Sequence, residues 1–448
     1  MASISTQLSR YFKKLSYNDI PMDKMNDIKW LVLDYLGVAS KGSSTESGRI
    51  AIEHAARQGS HPVATMIGSK KKAVPMLAAF ANAISAHSIE LDDVDDLALY
   101  HFSPAIVSAT MAMAEKMDAN GKAFLTAAYA GCEMMARLSN VMNPSLRNRG
   151  FHTTPVCGVF GATVSAGLLS GLEEGQMVNA LGLAGAQASG LMEMYGESLQ
   201  KRFNPGPAAA SGIVSAKMAK LGYTGTDLIF EGKRGLLKAF SDQSDETQLT
   251  GGLGKTFPVY IDFKPYACAR PIHNAIDCGL EIRKKYSVSP KDIRKITVYR
   301  HPDWANYHVI YHPKTINEAQ VSLPYSVAVA FKEGDAFLDQ YGEQYFGDPD
   351  VKKIMDAIKV ESDPKLPRGV SCLMIVETVK QDTYQAQIDY PKGSKKNPMS
   401  DEELINKFTR LSQPVIGKGQ IHRVVDKVLS LEKVEHIKQL TRYFQKGD

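Results

Sequence analysis

Apolar residues recur three and four apart through most of the first half of the chain, the spacing of one face of a helix. Residues 6–16 show it, and so do residues 23–38, through Met25, Ile28, Leu31, Val32, Tyr35 and Leu36 up to Gly37. An alanine-rich helix is expected over 74–90, followed by helices over 104–117, 122–141, 155–171, 174–194, 206–221 and 225–229, with Gly, Asn or Pro at the breaks. Alternation of period two is nearly absent in this part, so it reads as all-α. The character changes near residue 258. PVYIDF alternates, a helix restarts at Pro271, and 295–301, 372–379 and 383–390 are β-type runs, the last two joined by a Lys-Gln-Asp turn as a hairpin. Helices over 323–332 and 349–359 lie between them. A polar linker, PKGSKKNPMS, then leads back to helix at 401–411 and 424–431. The expected fold is mainly α: a large all-α domain built from both chain ends, residues 1–262 and 396–448, with an inserted α+β lid domain over 263–395 hinged at both ends.

The stretch from Glu90 to Glu115 brings chemistry into this picture. Asp92, Asp93, Asp95 and Asp96 precede His101, and Ser103 and Pro104 have the character of an N-cap and a first helical residue. The order His, spacer, Ser/Thr, Pro returns at His152, Thr153, Thr154 and Pro155. A looser copy, Lys201, Arg202, Phe203, Asn204 and Pro205, has Asn204 as its cap. Helix N-termini carry free N–H groups and about half a positive charge, so three of them bearing His, His and Lys-Arg suggest a site for a small acid with more than one carboxylate. Glu90 with Asp92 or Asp93 is expected to raise the pKa of a nearby imidazole, as suits a proton donor. The Asp cluster lacks the spacing and the glycine of a calcium loop. It reads as a loop-capping group, or as acids that orient His101, rather than as a metal site.

Composition narrows the function classes. The chain has 448 residues, 44% hydrophobic and 23% charged, close to the globular average, which argues against disorder. A net charge of +5 without a basic tract argues against nucleic acid and leaves room for clefts that attract anionic metabolites. The N-terminus lacks the apolar core of a signal peptide, and the uncharged run from Pro155 to Leu172 is rich in Gly, Ala and Ser, as suits tight helix packing better than a membrane span. Five scattered cysteines, an odd number without a Cys-x-x-Cys pair, fit reduced thiols in the cytoplasm or another reducing compartment such as the mitochondrial matrix.

Other motifs fail on spacing. His308 and His312 stand four apart, but Val309 occupies the place of the zinc-helix Glu and Pro313 would stop the helix. GGLGKT ends like a phosphate loop, yet Leu249 stands where its first Gly belongs. No glycine fingerprint of a nucleotide cofactor follows a strand. FKPYACARPIH gathers Lys264, Tyr266, Arg270 and His273 near the domain junction, where cations could clamp carboxylates. Tyr325 opens an apolar helix in SLPYSVAVAF, a setting that by itself suits a core residue.

Together HSIELDD, GFHTTPVCGVFGA, GLAGAQASGLMEM, KRFNPGPAAASG, KPYACARPIHNAID, SLPYSVAVA and DYPKGSKKNPMSDEEL resemble the MmgE/PrpD family, in the family's order and over almost the full chain. That family includes 2-methylcitrate dehydratases, cis-aconitate decarboxylases and iminodisuccinate epimerases. The resemblance implies a helical domain, a smaller lid, a homodimer and no cofactor. It also implies pocket residues at Glu90, Val94, His101, His152, Lys201, Lys264 and Tyr325. Where the decarboxylase pattern has Asp and Thr, this chain has Glu90 and Val94, and Phe102 replaces the common Pro after His101.

The chemistry expected from this set is proton exchange by His101 and His152. Lys201, Lys264 and Arg270 would hold carboxylates, Tyr325 would act as hydrogen-bond donor or auxiliary acid, and Glu90, Asp92, Asp93, Val94 and His273 would complete the contacts to the acid, with lid closure excluding water. The leading expectation is a lyase that dehydrates a hydroxy-tricarboxylate such as 2-methylcitrate or citrate. Its rivals are decarboxylation of an aconitate-type acid, epimerisation of an amino or imino dicarboxylate and, in a different class, a non-catalytic binding protein.

Overall fold

The computed structural model describes residues 2–95, 100–194, 198–367 and 369–445. Helix takes 57% of the chain and strand 9%, so the protein is mainly α. It forms two compact units, the first comprising residues 1–88, 92–261 and 401–448, the second residues 89–91 and 262–400.

The first unit is a layered stack of helices: α1 (Ile4–Lys14), α2 (Met22–Gly42), α3 (Glu46–Ala56), α4 (Pro75–Ala86), α5 (Ser103–Lys116), α6 (Gly121–Met142), α7 (Thr153–Leu169), α8 (Glu174–Gly185) and α9 (Pro205–Lys220), with α13 (Asp401–Ile416) and α14 (Ile421–Leu429) added from the C-terminal end. At its centre lies α7, buried from Thr153 to Gly167 and packed on α5, α6 and α9. Its lack of charge and its small residues explain that position, because only small side chains let backbones approach so closely. A Cβ at Gly212 of α9 would lie 2.4 Å from the Cβ of Ala162, and one at Gly161 would lie 2.5 Å from the carbonyl oxygen of Gly131. Among the described residues no helix is long and apolar enough to cross a membrane.

In the second unit α10 (His273–Tyr286), α11 (Leu323–Glu333) and α12 (Pro349–Asp356) accompany a four-stranded sheet of β3 (Ile293–Arg300), β4 (Ile358–Ser362), β5 (Cys372–Thr378) and β6 (Thr383–Ile388), in the order β4-β3-β5-β6. β5 buries every second residue, Cys372, Met374, Val376 and Thr378, and α10 packs against β5 and β6. The hairpin turn closes through Thr378 N to Asp382 O at 2.9 Å, with Gln381 at positive φ.

Several elements depart from the periodicity. Residues 225–229 form no helix, and the pattern misses both α3 and the small ribbon of β1 (Ala64–Thr65) with β2 (Lys72–Ala73). The helix expected to reach 359 ends at Asp356, and Ile358 and Val360 enter β4, the parallel partner of β3. PVYIDF joins no sheet, and its Val259 carbonyl accepts from Lys24 Nζ at 2.7 Å. α8 stops at Gly185 rather than 194. Gly190 takes φ +135° against Pro155, and His152 N donates to Gly190 O at 3.0 Å while Met192 N donates to Gly150 O at 2.8 Å. His308 and His312 both have positive φ and lie outside any helix.

Candidate active site

Within the first unit α4 ends at Ala86 and hands His87 to a buried turn, α5 begins just after His101, and α7 begins just after His152. The three imidazoles meet. Ring centroids are 4.9 Å apart for His87 and His101 and 6.1 Å apart for His87 and His152. Asp92 sits among them, its Oδ2 accepting from His87 Nδ1 at 2.7 Å and lying 3.1 Å from His101 Nδ1. Burial pushes this carboxyl up, but the charges and hydrogen bonds of His101 and His87 outweigh it and hold it well below the usual range.

Asp93 does a different job. Its carboxylate accepts from Phe102 N at 2.7 Å and from Ser103 N at 3.0 Å, so it caps α5 from outside the helix. Ser103, which looks like the cap, is instead the first helical residue, and its hydroxyl has no hydrogen-bond partner among the described residues. The amides of Phe102 and Ser103 are thus occupied, and His101 N donates to Thr154 Oγ1 at 3.1 Å. The expectation that this helix start receives a substrate carboxylate is corrected accordingly. Asp95 pairs with Tyr100 through backbone and side chain, and Asp96 lies outside the described residues.

Hydrogen bonds fix the proton on two of the rings. His101 Nδ1 faces acceptors, the Asp93 carbonyl at 2.5 Å and the Asp92 carboxylate, so Nδ1 carries a proton and in the neutral ring the lone pair is on Nε2. His152 is the reverse. Asn204 turns its amide nitrogen toward two acceptors, Met194 Sδ at 2.9 Å and His152 Nδ1 at 3.0 Å, so the proton of His152 is on Nε2. Asn204 holds the cap position of α9, yet its side chain makes no capping bond and orients this ring instead.

The net shift of His87 and His152 is downward. Burial lowers the His87 pKa to about 4 despite the pull of Asp92, and lowers His152 well below its ordinary value, with the charges of His87, His101 and Lys201 adding to the effect. Desolvation outweighs the attraction here, because both rings are almost wholly removed from water. Lys201, half-buried in the one-turn helix Gln200–Phe203, supplies the cationic influence felt by both rings, and the neighbouring Arg202 donates to His87 O at 3.4 Å. Val94 is buried beside the Asp pair in sequence.

The pH dependence of His87 follows from its shift. A depressed imidazole pKa means that the unfolded chain gains a proton near 6.5 which the folded chain refuses until about 4, so stability falls as pH drops through this interval. His87→Gln removes that linkage, and its cost relative to wild type should shrink by roughly 3 kcal/mol between pH 7 and pH 4. Urea unfolding of both proteins across that range checks this, and a cost that stays constant or grows would contradict it.

The remaining expected site residues belong to the second unit. Glu90, at φ +55°, is buried with Lys264 Nζ 3.4 Å from its carboxylate, and Gln320 Nε2 donates to the neighbouring Ile89 O. Arg270 donates to Lys392 O at 2.9 Å and to His273 Nδ1 at 3.3 Å, while His273 Nε2 donates to Cys268 O. Tyr325 is fully buried between Tyr341 and Phe346, and its hydroxyl donates to Gln340 O at 2.8 Å. The structure therefore gathers His101, His152, Asp92, Asp93 and Lys201 in one unit and Glu90, Lys264, Arg270, His273 and Tyr325 in the other. Asn204 is the member of the imidazole cluster whose part the sequence does not signal, whereas the alanine-rich helix expected over 74–90 already delivers His87 to the acidic stretch.

Family models match both parts of the chain, the MmgE/PrpD N-terminal domain over residues 6–248 and the MmgE/PrpD C-terminal domain over residues 266–431. The chain belongs to the MmgE/PrpD family. Among its relatives are a cis-aconitate decarboxylase-like protein of Aspergillus oryzae, 27% identical over 98% of this chain and 96% of the relative, and the cis-aconitate decarboxylase of Aspergillus terreus, 25% identical over 98% and 95%. The cis-aconitate decarboxylase of Mus musculus is 24% identical over 99% and 93%. The C-terminal model of this family runs past residue 400 into α13 and α14, which pack with the first unit.

Proposed function

We propose that the protein is a lyase acting on a small tricarboxylic acid of the citrate–aconitate type, with His101 as the base and His152 as the hydrogen-bond donor to the leaving group. The opposite tautomers of these two rings carry this reading. Nε2 of His101 offers a lone pair, and Nε2 of His152 offers a proton.

In a dehydration, His101 takes a proton from a carbon next to a carboxylate, the C–H electrons form the double bond, and the C–O bond breaks. The departing hydroxyl, hydrogen-bonded by the Nε2–H of His152, takes the proton that His101 has collected and leaves as water, so both rings end neutral. Lys201 steadies the carboxylate on which negative charge builds, the kind of electrostatic contact worth roughly 3–4 kcal/mol. His87 and Asp92 hold the base in register. Substrate contacts by Glu90, Lys264, Arg270, His273 and Tyr325 rest on the family resemblance alone, as do the lid role of residues 263–395 and a homodimeric state.

Decarboxylation of an aconitate-type acid is the second reading, favoured by the full-length likeness to cis-aconitate decarboxylases. It needs the same carboxylate contact and a donor that protonates carbon as the C–C bond to carbon dioxide breaks. Incubation with 2-methylcitrate, citrate and cis-aconitate in D₂O, followed by NMR, separates the two through loss of water against release of carbon dioxide. Turnover on any of these acids should fall roughly 10²–10⁴-fold in His101→Ala and in Lys201→Ala. Full activity in both variants would overturn the assignment, and inertness of the wild type toward a broad panel of acids would favour a binding protein.

A further inference from the structure

A second site candidate lies in the first unit on elements other than those that carry the imidazoles. The end of α2, the face of α3, the loop between β1 and β2 and the end of α13 enclose a cleft of about 720 Å³, within the range of small-molecule sites. Its rim is cationic. Lys41 comes from α2, Arg49 from α3, and Lys70 and Lys71 from the loop, so positive charge converges from separate elements. The acid in the lining, Glu53, is already paired with Arg57, one helical turn away.

Two further features suit an anion. The C-terminal carbonyls of α2 would repel one, but those of Ser40, Lys41 and Gly42 already accept from the hydroxyls of Ser43, Ser44 and Thr45. The loop is also built rather than loose, with Gly68 N donating to Phe444 O at 2.9 Å and Lys71 N to Ser69 Oγ at 3.1 Å. The floor is apolar, formed by Ile52 of α3 with Leu411 and Val415 of α13. A simple inorganic anion would leave that floor unused.

We propose that this cleft binds an organic phosphate of nucleotide size, its phosphates among Lys41, Arg49 and Lys71 and its less polar body on the Leu411 and Val415 floor. Several charges are needed to engage cations on three elements, and charge-assisted contacts of this kind tighten binding most when the ligand is polyanionic. The inference is independent of the lyase assignment, because the two sites share no residue.

Titration calorimetry of the full chain with ATP and with pyrophosphate tests it. ATP should bind in the micromolar range, more weakly as salt is raised, and pyrophosphate several-fold more weakly because it lacks the body. The double variant Arg49→Ser/Lys71→Ser alters exposed side chains and should weaken ATP binding about tenfold or more, as expected for loss of paired charge-assisted contacts. Lys201→Ala should leave it unchanged. Absence of ATP binding at millimolar concentration, an unaffected double variant, or loss of binding in Lys201→Ala would each overturn the proposal. Pyrophosphate binding as tight as ATP would overturn the role of the apolar floor.

Discussion

Asp92→Asn is expected to lower kcat roughly 10²–10⁴-fold, with a much smaller change in KM. The carboxylate is an acceptor toward two Nδ1 atoms at once, and it is held in its charged form by the imidazoles that donate to it. Both Nδ1 atoms meet the same oxygen, Oδ2, so an amide can keep that acceptor in place but loses the negative charge. Without that charge the His101 ring is less firmly aligned and the cation formed when it takes up a proton is no longer stabilised. Aspartate at this position is buried and touches rings rather than open space, so the defect belongs in the proton-transfer step. Kinetics on whichever acid is processed, with circular dichroism to confirm the fold, decide the matter. Activity within about threefold of wild type would show that Asp92 does not control the ring.

The largest expected loss of stability is at Lys407. This residue of α13 is buried against Asp34 of α2, with Nζ 2.5 Å from the carboxylate and 3% and 1% side-chain exposure. Burial raises the Asp34 pKa to about 6, Lys407 pulls it down, and Asp93 and Asp92 push it further up. Lys407→Met leaves a carboxylate in a dry interior without its counter-charge, at a cost of about 3–5 kcal/mol.

The sign with pH is fixed by the carboxyl. A raised folded pKa gives stability that is present below the ordinary carboxylate value and lost as pH rises through about 6. Removing the lysine carries that loss to higher pH. The deficit of Lys407→Met relative to wild type should therefore grow between pH 5.5 and pH 8, and Asp34→Leu/Lys407→Met should recover much of it. Equal deficits at the two pH values would contradict the ion-pair account.

Much of the helical unit is legible because its signals are local. The spacing of Ile28, Leu31, Val32 and Tyr35 marks α2, and Pro75, Pro104 and Pro205 stand in the first turns where their missing N–H costs nothing. The clustering of His101 and His152 is also foreshadowed, since each stands immediately before a buried helix. What escapes is non-local. Asp93 caps a helix from ten residues upstream of Ser103, a distance that no capping pattern spans. Asn204 has the sequence character of a cap, and only the fold shows its amide directed to a ring. Residues 186–194 keep a helix-like composition, yet Gly190 packs against Pro155 in a conformation that helices exclude. In the second unit Ile358 to Ser362 is too short to show a period, and the parallel pairing with β3 that makes it a strand lies some 60 residues away in sequence.

Gly212 gives the imidazole cluster a dependence that its own residues do not reveal. α7 and α9 touch where that glycine meets Ala162, nearly three turns beyond His152 on α7 and about two beyond Asn204 on α9. The separation of the two helix axes thus sets how far the amide stands from the ring. The placement of that amide against the His152 ring is in this sense inherited from a missing methyl group deep in the stack.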